Sequence, residues 1–147
     1  MEKAKQASES IKLAIILALS GGFMDAYSYI FRGHVFANAQ TGNFARLAIG
    51  IANGSWEMAI RYLIPIIFFI FGVSVAIWIS RCAPNNGYFH WKQYAIILEI
   101  VLLLIVSWIP YGKFSNICAN ILISFTCAIQ AESFRKVLGT PFASTMC

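Results

Sequence analysis

Four stretches of the chain are apolar almost without interruption, and its polar residues gather between them. The runs 62–80 and 114–131 hold no charge, 94–111 holds only Glu99, and 11–30 holds Lys12 and Asp25. A bilayer core about 30 Å thick takes roughly 20 residues of helix. The pattern therefore predicts four membrane-spanning helices. A fifth apolar segment, 44–52, contains Arg46 and would cover only about 14 Å as helix, half the core. It predicts a half-helix or re-entrant piece, which survives at membrane depth only under protein or beside a wet cavity. The expected fold class is all-α, a polytopic transmembrane bundle forming a single membrane domain over 1–147.

Punctuation between the runs agrees with this division. Asn53-Gly54, Pro84-Asn85-Asn86-Gly87 and Pro110-Tyr111-Gly112 are turn sequences. Trp56 and Tyr62 flank the start of the second span and Trp78 its end. Trp91 and Tyr94 open the third, and Trp108 and Tyr111 close it, as interfacial anchors do. The lysine-bearing start followed by Ser20-Gly21-Gly22 has the outline of a signal peptide, but apolar sequence resumes at Phe23. An uncleaved first span is expected.

Composition sharpens the class. Of 147 residues, 59% are apolar and 12% charged, against about half and a quarter in soluble domains. This argues against a disordered chain, a nucleic-acid-binding domain and a typical soluble enzyme. The net charge is +5, but the basic residues are scattered rather than clustered into a phosphate-binding face. Four cysteines form no CxxC, and His34 and His90 are the only histidines, so no metal site and no cofactor are expected. With four crossings, Lys3, Lys5, Lys12, Arg81, Lys92, Arg135 and Lys136 fall on one side. Arg32, Arg46, Arg61 and Lys113 fall on the other. This bias places the N-terminus in the cytoplasm and the protein in a bacterial inner membrane.

Chemistry-bearing residues are few. Asp25 sits about two-thirds along the first span, where an acid costs roughly 2.5–3.5 kcal/mol on insertion scales and normally faces the bundle interior. It is a candidate substrate, ion or proton contact; buried hydrogen bonding to neighbouring hydroxyls and amides is the structural alternative. Glu99, a turn inside the third span, either reaches the headgroups, pairs with Lys92 or serves a site. Asn38, Gln40, Thr41 and Asn43 place four uncharged polar side chains before the half-helix, suited either to lining a cavity or to an exposed loop. Thr41 or Asn43 could cap that helix. Ala14, Ala18, Gly22 and Ala26 recur every four residues, a ridge for close helix packing. Glu132 is explained by pairing with Arg135 and Lys136, unless a repeat gives it Asp25's role.

Such a repeat is faintly visible. Aligning Asp25 with Glu132 also pairs Tyr27 with Phe134, and a shift by one pairs Phe36 with Phe142 and Ala37 with Ala143. Two copies separated by three crossings would run in opposite directions, as in inverted-repeat transporters. Gly22-Phe23-Met24-Asp25-Ala26-Tyr27-Ser28, followed by Phe36-Ala37-Asn38-Ala39-Gln40-Thr41-Gly42-Asn43, resembles the YoaK-type family of bacterial multi-pass membrane proteins of unknown function. The resemblance spans essentially the whole chain. It implies that Gln130 to Met146 is a second half-motif leading to another Thr-Gly-Asn, and that a chain stopping at Cys147 is a C-terminally truncated member. It brings no substrate or catalytic residue. The expected function is a small transporter or channel-like protein, not an enzyme, whose site involves Asp25 and residues 38–43. A non-transporting structural or partner-binding subunit is the alternative. Expected partners are the lipid bilayer and a small solute or ion, with further copies of the chain left open and nucleic acid excluded.

Overall fold

A computed structural model describes residues 11–82 and 91–134, together with the backbone of 136–137 and 140–141. Five helices follow one another: α1 (Ile11–Phe31), α2 (Gln40–Ala52), α3 (Trp56–Cys82), α4 (Trp91–Trp108) and α5 (Lys113–Ser133). A two-residue antiparallel pair, β1 (Lys136–Val137) with β2 (Thr140–Pro141), follows α5. All the helices except α2 are long and apolar enough to cross a membrane. The turn at 84–87 and the second half-motif beyond 141 lie outside the described residues.

The helix ends shift from the expected runs for identifiable reasons. α3 begins six residues early because Glu57 and Arg61, paired at 3.3 Å one turn apart, extend the helix into the headgroup zone. α4 stops at Trp108 because Pro110 lacks an N–H and biases Ile109 away from helical geometry. α2 begins at Gln40, so the amide run is divided. Asn38 precedes the helix, and Gln40, Thr41 and Asn43 form its first turn.

α5 is the central helix. It packs on α3, α4 and α1 and buries an unusual set of polar residues: Asn120, Ser124, Thr126, Gln130 and Ser133. Met24 and Ala37 meet Val106, Ala119, Ile123 and Cys127 in the core. α1 runs antiparallel to α5. Gln130 Nε2 donates to the Leu17 carbonyl at 3.3 Å near one end, and Asn120 Nδ2 donates to the Arg32 carbonyl at 2.8 Å near the other. That is the orientation an inverted repeat of α1 and α5 requires. α3 approaches α5 at Gly72, where a Cβ would lie 2.7 Å from both the Ala128 Cβ and the Phe125 carbonyl oxygen.

The ridge expected to pack α1 is displaced. Ala14 is buried, but Ala18, Gly22 and Ala26 are exposed, and nothing lies within 4 Å of where a Gly22 Cβ would stand. The buried line is Ala14, Leu17, Gly21, Met24 and Ser28, one to two positions round the helix. Spacing alone fixes that such a stripe shares a face, not which face meets a neighbour. Trp56, Trp78, Trp108 and Tyr111 are well exposed, as interfacial anchors should be, whereas Tyr62 is buried inside the bundle.

Candidate functional site

The segment between α1 and α2 turns back into the bundle. Gly33 and His34 adopt left-handed backbone, with φ of 96° and 61°, and reverse the chain. His34 then packs edge-on to Tyr29, and Phe36 stacks on the same ring at 4.8 Å. The N–H groups of Asn38 and Ala39 reach the Asp25 carboxylate, seven residues back along α1 from Arg32 and about 10 Å deeper. From there α2 climbs back beside α3, with Arg46 at Tyr62 and Gly50 against Ala59. The half-helix is re-entrant: it enters and leaves at the same end of the bundle.

Asp25 is the peg of this arrangement. Its Oδ1 accepts the Asn38 N–H at 2.7 Å and its Oδ2 the Ala39 N–H at 3.1 Å. The acid thus meets unpaired donors just before the N-terminus of α2, where a negative group is favoured. Neither Thr41 nor Asn43 caps the helix; the cap residue is Ala39, and the carboxylate arrives from another helix. Sequence spacing has no means of revealing a cap supplied from fourteen residues away.

Asn43, fully buried, closes the re-entrant turn. Its Oδ1 accepts the Phe36 N–H at 3.0 Å, while its Nδ2 donates to the Phe36 carbonyl at 2.6 Å and to Gln40 Oε1 at 2.9 Å. Gln40 Nε2 donates to the Ala37 carbonyl at 2.8 Å. Asn38 is buried beside them, and Thr41 is exposed on the outer face of α2. The Asn43 and Gln40 amides thus satisfy the turn's own backbone. Glu132, half-buried in the last turn of α5, is not brought to Asp25: Gln130 meets Leu17, about 12 Å along α1 from Asp25. Its expected partner Arg135 lies outside the described residues. Glu99 is 8% exposed, so it points into the bundle rather than to the headgroups, and both it and Asp25 lie within electrostatic reach of the buried Cys127 thiol.

Two arginines complete the region, and neither was among the site residues expected from the sequence. Arg32 is 2% exposed. Its Nε and Nη2 donate to the Tyr27 hydroxyl, Nη2 also to the Ile109 carbonyl, and Nη1 to the Pro110 carbonyl and Asn116 Oδ1. All five guanidinium N–H groups are engaged. The Tyr111 ring, 4.4 Å from the guanidinium carbon, adds its face. The carbonyls after α4 carry the negative end of that helix's dipole, so dipoles offset the charge. Arg46 donates to the hydroxyls of Tyr29 and Tyr62 at 2.9 and 3.1 Å. The sequence signal for both is a lone arginine near several tyrosines.

A cavity of about 360 Å³ opens at this end of the bundle, where α3 and α5 start and α1 ends. Arg32, Glu57, Arg61, Lys113, Asn116 and Asn120 supply its polar lining; Ile60, Ile64, Pro65 and Ile117 supply apolar walls. Asn120 and Ser124 continue the face of Asn116 down α5 at helical spacing, and the buried Asn120 Oδ1 and Ser124 Oγ have no hydrogen-bond partner. The next residue on that face is Ala128, closed against Gly72.

Four crossing helices, a re-entrant half-helix and a polar line inside the bundle define a multi-pass helical membrane protein. The chain belongs to the family described as protein of unknown function DUF1275, whose profile matches residues 13–147. It is similar to the UPF0700 transmembrane protein YoaK of Bacillus subtilis (strain 168), with 28% identity over 136 residues. That match covers 91% of this chain and 60% of the relative, so the chain spans about three-fifths of the relative's length. No solved structure matches it.

Proposed function

We propose that this protein is a small transporter or channel-like protein of the bacterial inner membrane, with its N-terminus in the cytoplasm, and that the structure is its closed form. The carrying observation is the polar line Asn116, Asn120 and Ser124, which leads from the cavity into the bundle and includes two buried, unpartnered oxygens. Each such group costs about 1–3 kcal/mol when left without a partner. Local rules broken without a compensating contact concentrate at functional sites. Asp25 and residues 36–43 then position the re-entrant helix whose movement would open the path, rather than bind solute directly. The excess of basic residues at the N-terminal end of the bundle supports the orientation. We assign the chain no catalytic role.

The test is Ser124→Ala in the full-length protein, reconstituted in liposomes and assayed for flux of protons, alkali cations and small organic anions. Alanine removes an unpartnered hydroxyl, so stability should hold or rise while flux falls. Undiminished flux in the variant, or no flux of any probe in the parent protein, would overturn the reading. The closed hydrogen-bonding of Asp25 and Asn43, with the open Ala18, Gly22 and Ala26 ridge, favours a second reading as a non-transporting subunit. Crosslinking in native membranes that yields a stoichiometric partner, with flux absent, would select it.

A further inference from the structure

We infer that the cavity between the starts of α3 and α5 is a binding site for an amphipathic anion, a phosphate or carboxylate head carrying a short aliphatic chain. The inference concerns binding and stands whether or not the protein moves a solute.

The charge of the lining points to an anion. Arg32, Arg61 and Lys113 face it against one acid, Glu57, which already pairs with Arg61 at 3.3 Å. Arg32 contributes charge but no free donor, because its N–H groups are spent inside the bundle. The donors available to a ligand lie elsewhere. Among the described residues Lys113 makes no ion pair. Asn116 is oriented by Arg32, which donates to its Oδ1 at 3.3 Å and leaves the Nδ2 hydrogens unused. α5 begins without a side-chain cap, at Gly112, so the first-turn N–H groups lack the side-chain acceptor that usually satisfies them. A lysine and an amide thus share the lining of one volume, beside the end of α5 that carries the positive end of its dipole.

The rest of the wall determines what the anion carries. Ile60, Ile64 and Ile117 with Pro65 present an apolar surface beside those donors. A bare inorganic anion would leave that surface against water; an attached aliphatic chain would cover it, at about 25 cal/mol per Å². At about 360 Å³ the space lies near the lower end of the range of small-molecule sites, enough for a headgroup and several carbons. Its place at the membrane surface admits two sources of this chemistry: an anionic phospholipid from the bilayer or a free alkyl phosphate or carboxylate from solution.

The test uses the full-length protein in phosphatidylcholine nanodiscs. In one arm the discs are titrated with hexyl phosphate, with hexanol as the uncharged control, by calorimetry. In the other, phosphatidylglycerol is doped into the discs and its retention after detergent extraction is measured by native mass spectrometry. Hexyl phosphate should bind at least about tenfold more tightly than hexanol, the equivalent of about one charge-assisted hydrogen bond. Lys113→Gln should weaken it about tenfold, and Ile117→Trp, which fills the apolar wall, should remove it. Lys113 and Ile117 are exposed enough for both variants to fold. Retained phosphatidylglycerol that is lost in both variants would identify the bilayer as the source; hexyl phosphate binding without such retention would identify a soluble ligand. Equal binding of hexanol, indifference to both substitutions, or neither ligand bound would overturn the site.

Discussion

Replacing Gly72 by alanine tests the helix packing at its tightest point. A Cβ there would lie 2.7 Å from the Ala128 Cβ and 2.7 Å from the Phe125 carbonyl oxygen, with the Phe125 ring at 3.2 Å. Carbon contacts are comfortable at about 3.5–4.0 Å, so α3 and α5 must part by roughly 1 Å. Overpacking of this kind costs about 1–3 kcal/mol. Alanine also gains about 0.8–1.0 kcal/mol of helix propensity over glycine. Gly22→Ala supplies the control, since it makes the same chemical change in α1 where nothing lies within 4 Å. The propensity gain cancels between the two, so Gly72→Ala should be less stable than Gly22→Ala by about 1–3 kcal/mol. Reversible unfolding in mixed micelles measures the difference. Adding Ala128→Gly should restore only part of it, because the Phe125 carbonyl remains in place. With Gly22→Ala at least as stable as the parent, a difference below about 0.5 kcal/mol, the level of an ordinary surface substitution, would refute the α3–α5 contact. A Gly22→Ala variant as damaged as Gly72→Ala would mean that the exposed face of α1 is covered in the membrane.

Three further outcomes follow from the polar network. Asn43→Leu keeps similar bulk but strands the buried N–H and carbonyl of Phe36. It should cost about 2–4 kcal/mol and raise hydrogen exchange at residues 36–43, and unchanged exchange would contradict the closed turn. Arg32→Lys reduces five donors to three and loses the planar stacking on Tyr111, so thermal unfolding in detergent should fall markedly. Retention of the parent midpoint would show that charge alone suffices. Asp25→Asn turns one acceptor into a donor facing backbone N–H groups. It should loosen the start of α2, seen as greater proteolysis or labelling at residues 38–43, and lower any flux in parallel; normal flux with a loosened turn would separate the peg from transport.

Much of the architecture was legible because the bilayer leaves few choices. Residues 62–80 had to be a helix once they lay in lipid, since only a helix satisfies its own backbone there. The half-helix was legible from its length, whereas its re-entrant course was one of two readings that the sequence left open. Asp25 stood out as an expensive acid. Its job did not, because hydrogen-bond partners thirteen and fourteen residues ahead depend on the reversal at Gly33 and His34. The small-residue ridge misled for a related reason. Periodicity describes a helix in isolation, and the neighbour that decides which face is buried comes from elsewhere in the chain. Tyr62 read as an interfacial anchor until Arg46, sixteen residues earlier, claimed its hydroxyl.

The amino-acid order by itself indicated the solvent in which this protein folds, the four runs long and apolar enough to cross a membrane among the described residues, and the presence of costly polar residues within them. These are local quantities, sums of transfer free energies over twenty-residue windows. Tertiary structure decided what those polar residues do: Asp25 holds a helix start, Arg32 is saturated by carbonyls, a phenol and an amide, and the Asn120 Oδ1 and Ser124 Oγ are left without partners beneath a cationic cavity. Such roles depend on directional contacts between groups brought together from distant parts of the chain, and no local window contains both ends of a hydrogen bond between α1 and α5.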